Sequence, residues 1–189
     1  MQAELTYPLG QPPAPGQSVE VAPGVLWLRM PLPFALTHIN VWALRDGEGW
    51  AIVDTGVHSA PTQAAWQALL APTGALQGRP VTRVFVTHMH PDHVGMAGWF
   101  TREFGCALWM TPLEYMTCRV LAADTGRQAP EDGVRFYRQA GWSDEALATY
   151  RARFGGFGKM IDRLPDSFRR LADGQGIRIG DHDWEVVVG

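Results

Sequence analysis

The chain has 189 residues, of which 46% are hydrophobic and 19% charged, and a formal net charge of −3. This length fits a single domain with a sizeable core, and the composition is that of a globular protein rather than a disordered one. The slightly acidic balance argues against a nucleic-acid partner bound through its phosphates, and the lack of a long apolar run argues against a membrane span.

The first half of the sequence predicts an irregular arm followed by strands and one helix. Residues 1–17, rich in Pro, Gly and Gln, form the predicted arm, and residues 18–189 form the predicted domain. Strands are predicted at residues 19–21, 25–30, 38–44 and 50–53. A helix is predicted at 60–71, where apolar residues recur at helical spacing, and a buried strand at 81–86.

The second half alternates helices and strands around a long helical block. A helix is predicted at 91–104, where a proline suits the first turn, and a strand at 106–110. Residues 112–170 are predicted to be mainly helical, as an insertion into a minimal sheet-and-helix plan. Residues 177–179 and 184–188 are predicted to form a hairpin. This order predicts an α/β fold with one mixed sheet and helices on one face.

The cysteine content indicates a reducing environment. Cys106 and Cys118 are too few for a disulfide scaffold, and they fall in one predicted strand and one predicted helix. The residues after Met1 lack the basic start and apolar stretch of a secretion signal. The expected location is therefore the cytoplasm.

One short segment concentrates the residue types that bind metals. The sequence THMHPDHVG at residues 87–95 follows a predicted strand and leads into a predicted helix. Side chains two apart at a strand end point the same way, so His88 and His90 are expected to converge on one ion. Asp92 and His93 lie where the chain turns into the helix, which directs them toward a neighbouring point. Imidazole and carboxylate groups without a thiolate suit zinc, manganese or iron, and an accidental cluster with this spacing is rare.

This segment and the earlier sequence IVDTG at residues 52–56 resemble the motifs of the metallo-β-lactamase superfamily, in particular those of hydroxyacylglutathione hydrolases. The resemblance covers about residues 19–189 and implies an αββα sandwich, of which this chain holds the N-terminal half. It also implies a site for two zinc ions, with iron or manganese as alternatives. The implied ligands are His88 and His90 for the first ion, and Asp92 and His93 for the second.

The resemblance further implies a reaction. Hydroxide generated between two zinc ions would attack the carbonyl of a thioester, a lactone or another acyl substrate. Asp92 is the expected catalytic residue, because it would also help to hold that nucleophile. Asp54 is expected to lie behind the ligands and orient them, although a carboxylate at a strand end also caps turns. Two alternatives stay open: an iron-dependent sulfur dioxygenase of the same fold, and a non-catalytic binding or assembly module.

The chain departs from the family pattern near its end. Family members supply a further His after the strand that corresponds to residues 184–188, then a bridging Asp and another His, whereas this sequence ends at Gly189. None of the remaining histidines is placed to substitute; they are His38, His58 and His182. We therefore expect a truncated, inactive N-terminal fragment whose uncovered sheet face favours self-association.

The substrate is expected to be a small acyl compound that the helical block helps to recognise. Ten of the 16 Lys and Arg residues lie from Arg119 to Arg170, together with several aromatic residues. An anionic acyl group, such as a thioester of glutathione or of coenzyme A, would suit such a lining. Aromatic residues at helical spacing usually pack and arginines usually face solvent, so both interpretations stay open.

Overall fold

The fold is built on one seven-stranded mixed sheet in a computed structural model that describes residues 8–33 and 35–189. The strands are β1 (Ser18–Ala22), β2 (Val25–Pro31), β3 (His38–Asp46), β4 (Gly49–Val53), β5 (Val81–Phe85), β6 (Ala107–Met110) and β7 (Arg169–Arg170). They lie in the sheet in chain order, with antiparallel pairing from β1 to β4 and parallel pairing from β4 to β7. Residues 8–17 form neither helix nor strand, and residues 1–7 of the predicted arm lie outside the described residues.

Helices occupy the connections between the parallel strands. They are α1 (Ala60–Leu70), α2 (Pro91–Val94), α3 (Ala97–Phe104), α4 (Pro112–Ala123), α5 (Glu131–Gln139) and α6 (Asp144–Arg153), with a 3₁₀ helix at Phe157–Lys159. The starts of α1 and α4 have a proline in the first turn and a Ser or Thr side chain that accepts a backbone N–H. In the described part of the chain, no helix has the length and apolarity that crossing a membrane requires.

Apolar side chains pack on both faces of the sheet, because successive residues of a strand point to opposite sides. Ile52 faces the helices, where Trp66 of α1 and Phe100 of α3 meet edge-on with 4.7 Å between their ring centroids. Phe85 belongs to a second, smaller core on the opposite face. The larger core therefore lies between the sheet and α1 and α3.

A two-stranded hairpin lies against this opposite face. Its strands are β8 (Gly176–Ile179) and β9 (His182–Glu185). Ile177 and Ile179 pack with Phe85 in the smaller core. Beside the hairpin lies an open cleft of about 950 Å³, lined mostly by apolar residues and also by His88. This face of the sheet is therefore only partly covered.

The structure confirms the predicted mixed α/β layout and shows that the continuous helix predicted at 91–104 is wrong. The helix is interrupted between α2 and α3, at Gly95 and Met96. The N–H of Met96 donates to the carbonyl of Gly56 at 3.1 Å and to the hydroxyl of Thr55 at 3.0 Å. This N–H is thereby diverted from the helical bonding pattern toward the segment that follows β4.

Two later boundaries also differ from the prediction. The predicted helical block at 112–170 ends early, because residues 160–168 are irregular and β7 pairs with β6. Pro165 lies in the irregular part, where its missing N–H disfavours a helix. The second hairpin strand, predicted at 184–188, is β9 and lies earlier, at His182–Glu185. The N–H of Val186 beyond it donates to the carbonyl of Gln175 at 2.9 Å.

Candidate metal centre

The carboxyl ends of three parallel strands meet at one edge of the sheet. Asp54 follows β4, Thr87 comes two residues after β5, and Thr111 follows β6. Binding sites of open α/β sheets commonly lie at this edge, because the parallel strands deliver several chain segments to the same place. The four predicted ligands lie in the segment after β5.

His88 and His90 turn toward each other, as their spacing predicts. Nε2 of His88 lies 2.8 Å from Nδ1 of His90, and the two rings meet edge-on with 4.7 Å between centroids. Two lone pairs at this distance repel each other unless a proton or a cation lies between the nitrogens. Neutral imidazole nitrogen is an ordinary ligand of divalent zinc, so this pair fits a metal ion.

Asp92 and His93 form a second pair in the first turn of α2, which Pro91 starts. Oδ2 of Asp92 lies 3.7 Å from Nε2 of His93. The ring of His93 lies against that of His88, with 3.9 Å between centroids. The two candidate pairs are therefore neighbours, in contact through the rings of His88 and His93.

Asp54 is buried behind these candidate ligands, with 5% of its surface exposed, and its backbone is left-handed with a φ of 61°. Asp and Asn tolerate this conformation better than other residues with a side chain. Oδ1 of Asp54 accepts the N–H of Thr87 at 2.8 Å, and Oδ2 lies 2.8 Å from Nδ1 of His93. Because a carboxylate only accepts, Nδ1 of His93 carries the proton and Nε2 is left free for a metal.

The hydroxyl of Thr87 links the same carboxylate to His88. It donates to Oδ2 of Asp54 at 2.8 Å and accepts from Nδ1 of His88 at 3.0 Å. Nε2 of His88, the atom that faces His90, then carries no proton and has a free lone pair. Asp54 and Thr87 together set the tautomer of one histidine in each pair. The sequence interpretation missed Thr87, although its place directly before the first histidine of the motif was a usable signal.

The local electrostatics differ between the two histidines that touch. Burial lowers the pKa of His88, and the neighbouring charges of His93 and His90 lower it further. Burial is also the largest influence on His93 and opposes its protonation. The hydrogen bond to Asp54 and the charges of Asp54 and Asp92 outweigh that effect and raise the pKa of His93. At neutral pH, His88 is therefore in the neutral form that binds a metal.

Thr55 fastens the segment after β4 to α2. Its N–H and its hydroxyl both donate to the carbonyl of His93 at 2.8 Å. Nε1 of Trp66 in turn donates to the carbonyl of Thr55 at 2.7 Å. Both Thr55 and Trp66 have 0% exposure, so these bonds are shielded from water. The backbone of His93 is therefore attached directly to the main core.

Glu114 is a second residue that the sequence interpretation missed. It lies in the first turn of α4, and its Oε2 accepts the N–H of Met89 at 2.7 Å. Its spacing from Thr111 is that of a helix-capping pair, which indicates a helix start and conceals any other role. The usable signal was its position after β6, at the same sheet edge as the histidines.

The other histidines do not add to the two pairs. His38 starts β3, His58 is exposed, and His182 is exposed on β9. Within residues 8–33 and 35–189, no three His, Cys, Asp or Glu side chains gather as a single candidate metal cluster. The donor set fits a divalent metal ion, and each of the two pairs offers two protein donor groups.

The fold and the segment of residues 88–93 define an α/β protein with a candidate metal-binding site at the carboxyl edge of its sheet. The family model of the metallo-β-lactamase superfamily matches residues 35–189, and the chain belongs to that superfamily. Membership supports a metal-dependent, hydrolase-like function, since proteins of this family generally bind metal ions, often zinc. A comparison with curated protein sequences gives no match.

Solved structures show the same fold. A β-lactamase domain protein from Burkholderia ambifaria is 39% identical, with a TM-score of 0.79, over 97% of this chain and 53% of that chain. A metallo-β-lactamase family protein from Thermus thermophilus is 22% identical, with a TM-score of 0.61, over 89% of this chain and 52% of that one. BJP-1, a subclass B3 metallo-β-lactamase of Bradyrhizobium japonicum, is 13% identical, with a TM-score of 0.56, over 92% and 52%. The chain therefore spans about half the length of these structures.

Proposed function

We propose that the protein is a metal-dependent hydrolase with a dinuclear zinc centre, for which this chain supplies the ligands His88, His90, Asp92 and His93. The observation that carries the proposal is the pairing of these ligands. Nε2 of His88 and Nδ1 of His90 converge to 2.8 Å, and the His93–Asp92 pair lies directly beside them. Asp54 supports the proposal because it leaves Nε2 of His93 free for a metal.

The proposed reaction is hydrolysis of an acyl compound such as a thioester or a lactone. Divalent ions at this corner would lower the pKa of water toward neutrality and polarise the substrate carbonyl. Asp92 holds the nucleophile in place, in addition to its role as a ligand. In the neutral imidazoles, Asp54 and Thr87 hold the ring proton on Nδ1 of His93 and of His88, so the lone pairs lie on the Nε2 atoms that face Asp92 and His90. No separate general base is needed, because the nucleophile forms near neutral pH.

We propose that further ligands come from outside this chain. A catalytic zinc ordinarily takes three protein ligands and water, whereas each pair here offers two. The chain spans 53% of the Burkholderia ambifaria structure. The apolar cleft beside His88 supports the same proposal, because Val187 and Val188 at its rim are 80% and 51% exposed. Alone, the chain is expected to be inactive and to self-associate through this face, which sedimentation velocity would measure.

The proposed substrate class follows from which arginine side chains near the cleft are free to bind an anionic group. Among the basic residues of the helical block, Arg119, Arg127, Arg135 and Arg138 pair with aspartates on the surface. Arg170 lines the cleft beside His88. We therefore propose a small acyl substrate, with Arg170 as the candidate contact for an anionic group. Imidazole and carboxylate also suit iron, so a sulfur dioxygenase is tested by the same metal analysis.

A reducing cytoplasm is part of the proposal. Cys106 and Cys118 are both free, and Cys118 is buried. Burial raises the pKa of each thiol to about 11, which makes both poor nucleophiles and poor metal ligands at neutral pH. Mass spectrometry with a thiol-alkylating reagent is expected to find both cysteines reduced in protein isolated from cells.

The proposal is tested by metal content and turnover together. The protein is expected to bind zinc, and His88→Ala and Asp92→Ala are each expected to lose bound metal. His182→Ala is the matched control, because this exposed histidine on β9 lies outside the two pairs. Turnover is measured with thioester, lactone and β-lactam substrates on the protein with its complete ligand set. Equal zinc content in all three variants would overturn the proposal. A single bound iron ion, together with oxygen uptake when a persulfide is added, would replace it with the sulfur dioxygenase.

A further inference from the structure

The peptide between the two converging histidines is held by a carboxylate from another element. The N–H of Met89 lies 2.7 Å from Oε2 of Glu114, and within residues 8–33 and 35–189 this carboxylate is its hydrogen-bond partner. Met89 is flanked directly by His88 and His90, in a loop that is neither helix nor strand. This bond therefore fixes the His88–Met89 peptide, one of the two peptide units that join the histidines.

A bond of this kind is strong enough to fix the loop. A carboxylate that accepts from a backbone N–H makes a charge-assisted hydrogen bond, which is shorter and about twice as strong as a neutral one. Both Met89 and Glu114 are partly buried, so solvent competes less for the bond than at an open surface. The orientation of the peptide after His88 is one of the factors that direct the ring of His90, and it therefore contributes to the Nε2–Nδ1 separation of 2.8 Å.

Glu114 is itself placed by α4. The capping residue before the helix is Thr111, whose hydroxyl accepts the N–H of Glu114 at 3.4 Å. In a common helix-capping arrangement, the Glu at this position bonds back to the N–H of the capping residue. Here Oε2 reaches across to Met89, at a sequence separation of 25 residues. The carboxylate thus joins the helical block, through α4, to the loop that carries the ligands.

We propose that Glu114 is a positioning residue for the His88–His90 metal site. By accepting the N–H of Met89, it holds the loop in the conformation in which the two rings converge. The inference rests on the proposed metal-binding function, and it adds that metal affinity depends on α4. Glu114 acts through the loop, and it is assigned no contact with metal or substrate. Partners of this indirect kind change metal affinity by about 10- to 100-fold when they are removed.

The test compares Glu114→Ala with Glu114→Gln. The alanine variant loses the acceptor, so its zinc affinity is expected to fall about tenfold, measured by competition with a chromophoric chelator. The glutamine variant keeps an amide oxygen that accepts the same bond, so it is expected to recover most of that affinity. Glu145→Ala is the matched control, because Glu145 lies in the first turn of α6, which also starts with a hydroxyl cap. It removes the same favourable charge at a helix start, away from the ligands.

A second readout uses the wild-type protein before metal is added. The Met89 amide is expected to exchange slowly with solvent by nuclear magnetic resonance, and the alanine variant is expected to lose that protection. Wild-type protein that binds zinc while Glu114→Ala binds it equally well would overturn this inference and leave the metal site intact. Rapid Met89 exchange in the wild type would also overturn it. Wild-type protein that binds no zinc would overturn both proposals.

Discussion

Oδ2 of Asp54 lies 2.8 Å from Nδ1 of His93, while Nε2 of the same imidazole faces the carboxylate of Asp92 at 3.7 Å. In the neutral ring, the two nitrogens of His93 therefore have opposite hydrogen-bonding roles. Nδ1 donates its proton to a buried acceptor, and Nε2 presents a lone pair toward the second candidate ligand. A single buried carboxylate thus determines which nitrogen carries the proton when His93 is neutral.

Asp54→Asn is expected to weaken zinc binding about 10- to 100-fold, because it reverses this arrangement. The N–H of Thr87 requires the amide oxygen at one position, which leaves the NH₂ group facing Nδ1 of His93. His93 then accepts at Nδ1 and carries its proton on Nε2, the nitrogen needed by the metal. Affinity is measured by chelator competition, and the carbon shifts of the ring report the tautomer.

Asparagine also tolerates the left-handed backbone of Asp54, so the fold is expected to survive the substitution. Asp181→Asn is the control, since Asp181 is exposed in the turn between β8 and β9. If Asp54→Asn bound zinc as tightly as Asp181→Asn does, the tautomer argument would be wrong.

Thr87 offers a separate test at the other histidine. Thr87→Val keeps the shape of the side chain but removes the hydroxyl that accepts from Nδ1 of His88, so zinc affinity is expected to fall about tenfold. Thr87→Ser restores the hydroxyl and is expected to bind zinc nearly as the wild type does. The measurement is the same competition assay. A serine variant as weak as the valine variant would point to packing by the lost methyl group.

The convergence of the four candidate ligands could be predicted from the sequence because their geometry is local. His88 and His90 are two residues apart at a strand end, where a period of two places side chains on one side. Asp92 and His93 follow within one helical turn, and Pro91 marks where that turn starts. Each relationship depends on neighbours in the chain, and the sequence carries that information directly.

The supporting residues depend on contacts between distant segments, which explains why they escaped prediction. Glu114 meets Met89 because β5 and β6 are parallel neighbours, and Thr87 meets Asp54 because β4 and β5 are. A single sequence fixes neither pairing. The break before α3 has the same origin, since the N–H of Met96 is taken by a segment 40 residues earlier in the chain.

Gly95 is expected to tolerate no side chain at the junction of α2 and α3. A Cβ there would lie 2.5 Å from the carbonyl oxygen of Gly56 and 2.6 Å from the backbone nitrogen of His58. Both contacts are with backbone atoms, so the clash can be removed only if the backbone at residues 56–58 or 95 moves. Gly95→Ala is therefore expected to lower the free energy of unfolding by about 1 to 3 kcal/mol and to weaken zinc binding.

Gly176→Ala is the matched control for that change, because a Cβ at Gly176 meets nothing within 4 Å. It is expected to change the free energy of unfolding by no more than about 0.5 kcal/mol. Chemical unfolding monitored by tryptophan fluorescence measures both variants. Equal stability of the two variants would show that the corner around Gly95 yields more easily than its close contacts indicate.

Asp46 ties the β8–β9 hairpin to the main sheet, and the tie is expected to weaken in acid. Its carboxylate accepts two hydrogen bonds from Arg83, each of 2.8 Å, and one from the N–H of Gly180 at 3.0 Å. The side chains of Asp46 and Arg83 are only 14% and 21% exposed. The hydrogen bond from Arg83 is the main reason that the pKa of Asp46 is lowered to about 2.

Because the pKa of Asp46 is lower in the folded protein than in the unfolded chain, this group stabilises the fold fully only above the unfolded value of 3.8. The contribution, about 1 to 2 kcal/mol after allowance for solvent screening, is lost as the pH falls from about 4 to about 2. Asp46→Asn is expected to flatten the slope of unfolding free energy over that interval, whereas Asp166→Asn, at a 73% exposed side chain, leaves it unchanged. An unaltered slope in Asp46→Asn, from chemical unfolding at several pH values, would mean that other carboxylates govern the acid sensitivity.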